Sequence, residues 1–359
     1  MTPQAREQLK PALISFAALP KAKFICHVAD RIACGLAIIV QSSFAYFRTP
    51  EDWKFIGNMF DTLAYYPTAR GLVFDGIAST IEAAIPDPVT EETHPEALRK
   101  FEAQLNSKPA LSLPAATEFQ KNLFKFMYAA YQKDFSLQAP SILCLEKVLG
   151  HYARMQMVLQ LDDHSRAAPP DSVPDKEMWQ RFAVGLFNAM GSYDPETSQT
   201  AYDCFQRIIL TTEVEQIADD KWLALLKVVS NKQAPIEYDE TRVHTFATYG
   251  EVLLYVTPVL TQEKENWKPL TEFTKQFAIM ADENLRKGRG SKALFEKTIS
   301  TVTTMSNVLG SREFQGDRRY SKWASDSLFT VLEKNGAGGG SSKNVALTQK
   351  QEQESSSSS

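Results

Sequence analysis

Glycine is scarce, cysteine is nearly absent, and no apolar run is long enough to cross a bilayer. The 359 residues hold 16 Gly, several of them in one C-terminal stretch, and 4 Cys. So few glycines leave little material for a phosphate cradle. No GxxxxGKS or GxxxxGKT, no GxGxxG after a strand, no HExxH and no GxSxG occurs. Cys26, Cys34, Cys144 and Cys204 are scattered through apolar helical contexts without a close pair. That argues against a disulfide framework and for a reducing compartment. The most apolar run is Ile32 to Val40, IACGLAIIV, nine residues, where a spanning helix needs about 20. The N-terminal stretch has no basic segment followed by a clean apolar core, so no signal peptide is expected. Excess positive charge is missing as well. Lys and Arg number 39 against 43 Asp and Glu, a formal net charge of −4, so no global field draws in nucleic acid or an anionic membrane. The expectation is a soluble or peripheral cytoplasmic protein. Strict polar/apolar alternation and Asn-Gly hairpin turns between apolar runs are also lacking, which argues against a β fold.

What is present is helical periodicity. It predicts helices near 3–17, 23–46, 50–65, 67–84, 94–106, 115–133 and 138–162. Further helices follow near 175–192, 195–212, 217–230, 243–260, 267–286, 291–310 and 318–333. Similar openings recur: TPEDW from Thr49, PDKEMW from Pro174, ADDKW from Ala218 and QEKENW from Gln262. Acids at a first turn meet free N–H groups and the positive end of the helix dipole. After Trp53, the residues Ile56, Phe60 and Leu63 form one stripe, widened by Phe55 and Met59, and Tyr66-Pro67 ends the helix. The following helix carries Leu72, Phe74, Ile77 and Ile81. Trp179, Phe182, Leu186 and Met190 form a similar stripe before the Tyr193-Asp194-Pro195 break, with Ala201, Cys204, Phe205 and Ile208 in the helix after it. A third pair starts at Trp222 and continues through Phe246, Tyr249 and Leu253, and a fourth starts at Trp267. Irregularly spaced helix pairs of this kind bury their apolar faces by stacking on neighbours. The fold expected is all-α, a right-handed armadillo- or HEAT-like helical-repeat superhelix; a generic helical bundle is the rival. An N-terminal subdomain is expected over 1–165, a Pro-rich linker over 166–174 and a second repeat subdomain over 175–334. A disordered Gly/Ser/Gln-rich tail is expected over 335–359.

Chemistry-bearing clusters are few. Cys26, His27, Asp30 and Cys34 share one stretch, but no second cluster completes four metal ligands. Cys144 and His151 lie seven apart on one helix without a third group to orient the imidazole. Asp162-Asp163-His164 ends a helix. The plainer reading of each is a core thiol or a solvated end, so no catalytic, cofactor or metal residue is assigned. Phe119, Phe124, Phe126, Tyr128 and Tyr131 crowd one helix on more than one side, as expected of a helix buried between two layers; an exposed groove for a partner helix is the alternative. The most concentrated basic stretch is RKGRGSK, with Arg286, Lys287, Arg289 and Lys292; Arg312, Arg318, Arg319 and Lys322 follow. These eight are the candidate contact residues, placed together at one end of the stack, for an anionic lipid surface or an acidic partner. The plain alternative is a helix C-terminus stabilised by cations and a Gly break. Aromatics do not interleave with the cations as a nucleic-acid stacking platform requires.

DRIACGLAIIVQSS (Asp30 to Ser43) followed by EDWKFIGNMFDTLAYYPTARGLVFDGIAST (Glu51 to Thr80) resembles the region downstream of the catalytic domain in large Golgi Arf guanine-nucleotide exchange factors of the Gea/GBF class, fungal members in particular. In those modules a helix with a Gly-Leu pair precedes an Asp-Asp-Trp helix. DDKWLALLKVV (Asp219 to Val229) and LFEKTISTVTTMSNVLGSREF (Leu294 to Phe314) are compatible with the most C-terminal modules, and the similarity covers about residues 20–330. The family's exchange reaction needs a catalytic Glu in a separate domain. The nearest string here, FRTPED (Phe47 to Asp52), lacks that motif. The resemblance therefore implies a non-catalytic regulatory and membrane-targeting region, part of a longer protein or of a truncated gene product. It would be peripheral at Golgi or early secretory membranes. Its implied partners are small GTPases of the Arf or Rab type and coat or tether proteins. No binding residue of the family maps onto this chain. The alternative is an unrelated helical-repeat scaffold, a transport adaptor or an assembly chaperone; a helical enzyme is a further rival that the sequence does not resolve.

Overall fold

The computed structural model describes residues 8, 11, 28–43, 47, 49–85, 113–127, 135–161, 176–192, 194–210, 217–234 and 238–336; for 113, 151–161, 176–178, 208 and 289 the backbone alone is described. The described residues form an all-α protein without strands. The helices are α1 (Ala29–Ser43), α2 (Pro50–Ala64), α3 (Pro67–Ala84), α4 (Leu113–Met127), α5 (Gln138–Leu161) and α6 (Lys176–Met190). They continue with α7 (Pro195–Ile208), α8 (Asp219–Asn231), α9 (Asp239–Leu260), α10 (Trp267–Lys287), α11 (Lys292–Gly310) and α12 (Arg318–Lys334). The helices expected at 3–17 and 94–106, the linker at 166–174 and the tail from 337 onward lie outside the described residues. The chain divides into two compact units, Met1–Trp179 and Gln180–Ser359.

The openings that recur in the sequence are true helix starts. Thr49 caps α2: its side chain accepts from the Asp52 N–H at 3.2 Å while the Asp52 carboxylate accepts from the Thr49 N–H at 3.4 Å, a capping box with Pro50 at the first helical position. Asp194 caps α7 by accepting from the Thr197 N–H at 3.0 Å, with Pro195 in the first turn. At α12, Asp317 accepts from the N–H groups of Arg319 and Tyr320. That helix closes at Asn335-Gly336, where Gly336 adopts φ +72° and donates its N–H to Glu333 O at 3.0 Å. Left-handed backbone after a helix is the position glycine fills without a Cβ clash.

In the first unit, α1 packs on α3 and α3 on α5, while α2 packs on α4; successive helices also touch. Trp53, Ile56, Met59, Phe60 and Leu63 of α2 are all buried, as their spacing predicts. The Trp53 indole meets Phe119 of α4 edge-on, with ring centres 5.4 Å apart, so it ties α2 to the helix two further on. Phe74 meets Phe126 in the same way at 5.8 Å. Phe119 and Phe126 are thus interior; Tyr128 and Tyr131 lie outside the described residues. Leu72 departs from expectation. It faces outward, since the buried face of α3 runs through Ala69, Val73, Gly76, Ile77 and Thr80, a narrow strip of small and β-branched groups that lets α1 approach closely.

The second unit repeats the pattern. α7 packs on α9 and α9 on α11, α8 packs on α10 and α10 on α12, and consecutive helices from α8 onward pair. The core holds Phe182, Leu186, Phe205, Trp222, Phe246, Tyr249 and Phe277, all fully buried. Phe246 stacks on Phe277 at 4.7 Å and Tyr249 meets the same ring edge-on at 5.3 Å. The Tyr249 hydroxyl donates to Phe273 O at 2.7 Å, so this buried polar tip is satisfied.

Candidate functional site

The eight basic residues do not share one end of the stack. Successive helices of a stack run antiparallel, and α11, with 19 residues, separates the two clusters by about 28 Å. Arg286, Lys287 and Lys292 sit at the α10–α11 turn. That end also holds the C-terminus of α12, because Asn335 donates to Asp282 at 2.9 Å and Lys334 lies 3.8 Å from the same carboxylate. Arg312, Arg318, Arg319 and Lys322 sit at the α11–α12 turn, beside the end of α9, where the Asp317 N–H donates to Thr261 at 3.1 Å. The expectation of a single basic end is therefore corrected: a full helix length stands between the halves.

The two halves also differ in how their cations are paired. At the α10–α11 turn each cation with a described side chain has a carboxylate partner one turn away. Arg286 pairs with Asp282, Lys287 with Glu283 at 3.1 Å and Lys292 with Glu296 at 3.7 Å; the Arg289 side chain is not among those described. Pairs of this kind one helical turn apart contribute about 0.3–0.5 kcal/mol each. Asp282 is held below the usual carboxylate range, first by the hydrogen bond from Asn335 and then by Arg286 and Lys334. At the α11–α12 turn, Arg318 donates to the main-chain carbonyls of Ser311 and Arg312, closing the last turn of α11. Arg312, Arg319 and Lys322 are exposed and, among the described residues, have no carboxylate within ion-pair distance. Among the candidate contact residues with described side chains, these three are the exposed cations without a carboxylate or carbonyl partner.

The chemistry-bearing pairs read from the sequence do not assemble. Cys26, His27 and the Asp162–His164 segment lie outside the described residues, and the side chain of His151 is not described. Burial pushes the Cys144 thiol up to about 11, so it is not poised as a nucleophile near neutral pH. Among the described residues no three His, Cys, Asp or Glu side chains converge as metal ligands.

A polar cluster that the sequence does not announce joins α7 to α9. Ser198, Tyr202 and Gln206 step by four along α7; His244 and Glu251, two turns apart, face them from α9. Ser198 Oγ lies 3.0 Å from His244 Nδ1, and the Tyr202 and His244 rings stack with centres 4.9 Å apart and planes at 14°. The Tyr202 hydroxyl donates to Glu251 at 3.1 Å, and Gln206 donates to its other carboxylate oxygen. Burial, then Glu251, raises the Tyr202 hydroxyl well above the usual phenol range. A Ser beside a His suggests a nucleophile, but the geometry argues otherwise. Ser198 is fully buried, and its hydroxyl donates to Met190 O at 2.7 Å, so its proton is directed at a carbonyl and the oxygen accepts from the imidazole. This cluster was not legible in the sequence, because its partners on α9 lie more than 40 positions from those on α7.

Comparison with protein-family models, with curated proteins and with solved structures yields no match in any of the three.

Proposed function

We propose that this chain is a non-catalytic armadillo- or HEAT-like superhelix that serves as a recruitment scaffold. In the setting the sequence resemblance suggests, it is the regulatory and membrane-targeting region of an Arf guanine-nucleotide exchange factor at Golgi or early secretory membranes. The observation that carries the scaffold reading is the packing rule shared by both units, in which helices meet the one two further on: α1–α3, α2–α4 and α3–α5 in the first, α7–α9, α8–α10, α9–α11 and α10–α12 in the second. That is the contact pattern of a stacked repeat. The buried side chains Trp53, Arg242, Ser198 and Tyr249 spend their polar atoms on helix-to-helix or helix-to-loop hydrogen bonds, as a scaffold requires. Partner recognition then falls to the surface, and the clustered unpaired cations Arg312, Arg319 and Lys322 are the proposed contact for an anionic membrane.

Flotation of the full chain with liposomes, with and without anionic lipid and at low and moderate salt, tests this. Binding is expected to need anionic lipid and to weaken with salt. Reversing Arg312, Arg319 and Lys322 to Glu should abolish it; reversing Arg286, Lys287 and Lys292 should leave most of it. Failure to float under every condition rejects direct lipid recruitment and moves the function to a protein-binding scaffold of the adaptor or chaperone type.

A further inference from the structure

The five tryptophans of the chain do not all serve the core. Trp53, Trp179 and Trp222 are buried, and the half-buried Trp267 donates its indole N–H to Thr261 O at 2.9 Å. Trp323 of α12 differs. It is half-buried beside Tyr320, with ring centres 5.7 Å apart, and its indole N–H has no acceptor among the described residues. Such a side chain has two unmet preferences: the body of the ring favours an apolar medium and the N–H a polar one.

Trp323 shares its surface with the unpaired cations. Arg319 precedes it by one helical turn, Lys322 is its neighbour in sequence, and both are exposed. Arg318 brings Arg312 close, because it donates to the Arg312 main-chain carbonyl and so holds the α11–α12 turn against the start of α12. Helix stability does not account for this arrangement. Arg319 stands in the first turn of α12, where the dipole favours an acid and none is present. Two acids lie just before it. The Asp317 carboxylate is spent on the N–H groups of Arg319 and Tyr320, and Glu313 is exposed in the turn. Further along α12 the exposed side becomes acidic, with Asp326 and Glu333. The positive part of that side, and Trp323 with it, is confined to the N-terminal turns of the helix.

We propose that Trp323 is the interfacial anchor by which the start of α12 seats on an anionic bilayer, an inference that rests on the membrane reading above. The cations meet lipid phosphate or carboxylate groups, the indole N–H meets a headgroup or ester oxygen, and the ring enters the boundary of the acyl chains. A soluble anion satisfies the cations and the N–H but offers nothing to the ring. An anionic bilayer supplies all three within the reach of one side chain. Because Asp326 and Glu333 follow on the same helix, α12 meets the bilayer with its N-terminal turns while its C-terminal half is held off.

The test uses the full chain and vesicles of phosphatidylcholine and phosphatidylserine, either plain or brominated near the glycerol end of the acyl chains. Wild type that floats with the vesicles should lose tryptophan emission on the brominated ones, and Trp323→Phe, which keeps a ring beside Tyr320, should lose less than half as much. Trp323→Ala keeps every cation and should bind about threefold more weakly. Flotation without quenching in wild type overturns the anchor and leaves the membrane reading standing on the cations alone. Equal quenching in wild type and Trp323→Phe, or unchanged binding of Trp323→Ala, also overturns it. Failure of wild type to float at all rejects the membrane reading and the anchor together. If neither variant folds, quenching of the floated wild type alone decides.

Discussion

Trp53 and Trp267 do the same job at helix starts more than 200 positions apart. Each indole N–H donates at 2.9 Å to the carbonyl six residues earlier, Phe47 for one and Thr261 for the other. A side chain at the first turn thus binds the incoming loop and fixes the angle at which the chain enters the helix. Trp53 is buried and Trp267 half-buried, which ranks the two. Trp53→Phe keeps most of the apolar contact with Phe119 but removes the donor, so it is expected to cost about 1–2 kcal/mol in denaturant unfolding. Trp267→Phe should cost less, since its side chain is only half-buried and gives up less packing. Equal losses at the two sites would show that burial is not what sets the value. The repeated Trp was legible in the sequence because acids, Trp and apolar steps are all local. Its hydrogen-bond partner was not, because nothing in the residue type of Phe47 or Thr261 marks a free carbonyl.

Between helices, close approach decides more than side-chain size. A Cβ added at Gly76 of α3 would stand 2.5 Å from the Ala37 Cβ and 3.2 Å from its Cα on α1, whereas one at Gly71 of the same helix meets nothing within 4 Å. Gly71→Ala should therefore stabilise by up to about 1 kcal/mol through helix propensity. Gly76→Ala gains the same propensity but forces α1 off α3, an overpacking cost of about 1–3 kcal/mol, and should be net destabilising. Chemical denaturation of both variants checks the opposite signs. Helix existence was readable nearly everywhere, with α3 matching its expected span of 67–84. The outward turn of Leu72 was not, because the α1 contact takes the small-residue strip and displaces the larger side chain. The joining of the basic halves failed for a similar reason: sequence proximity across α11 hides its length. At the α10–α12 junction, Asn335→Ala removes the first cause of the depressed Asp282 carboxyl. A carboxyl depressed on folding adds stability above its unfolded value, near 3.8, and that stability is lost as the pH falls through the folded value. The variant should therefore be less stable than wild type at pH 7, and the gap should narrow below about pH 3.5 in pH-dependent unfolding.

For the larger assembly, the packing of a helix on the one two further on, as in α7–α9 to α10–α12, has no internal reason to stop. Any outermost helix would accept another layer if its free side were apolar. α12 takes its described partners, α10 and α11, on the side lined by Tyr320, Ala324, Leu328 and Leu332. Its other side exposes Arg319, Lys322, Asp326, Thr330 and Glu333. Replacing Lys322, Asp326 and Thr330 together by Leu should produce concentration-dependent association, seen as growth of the sedimentation coefficient with loading, while the wild-type surface should show none. On the proposed reading a stack is in effect a one-dimensional crystal, and the charged side of α12 would act as the growth poison at its face. The cations proposed to meet an anionic surface would then also keep one molecule from becoming the seed for the next.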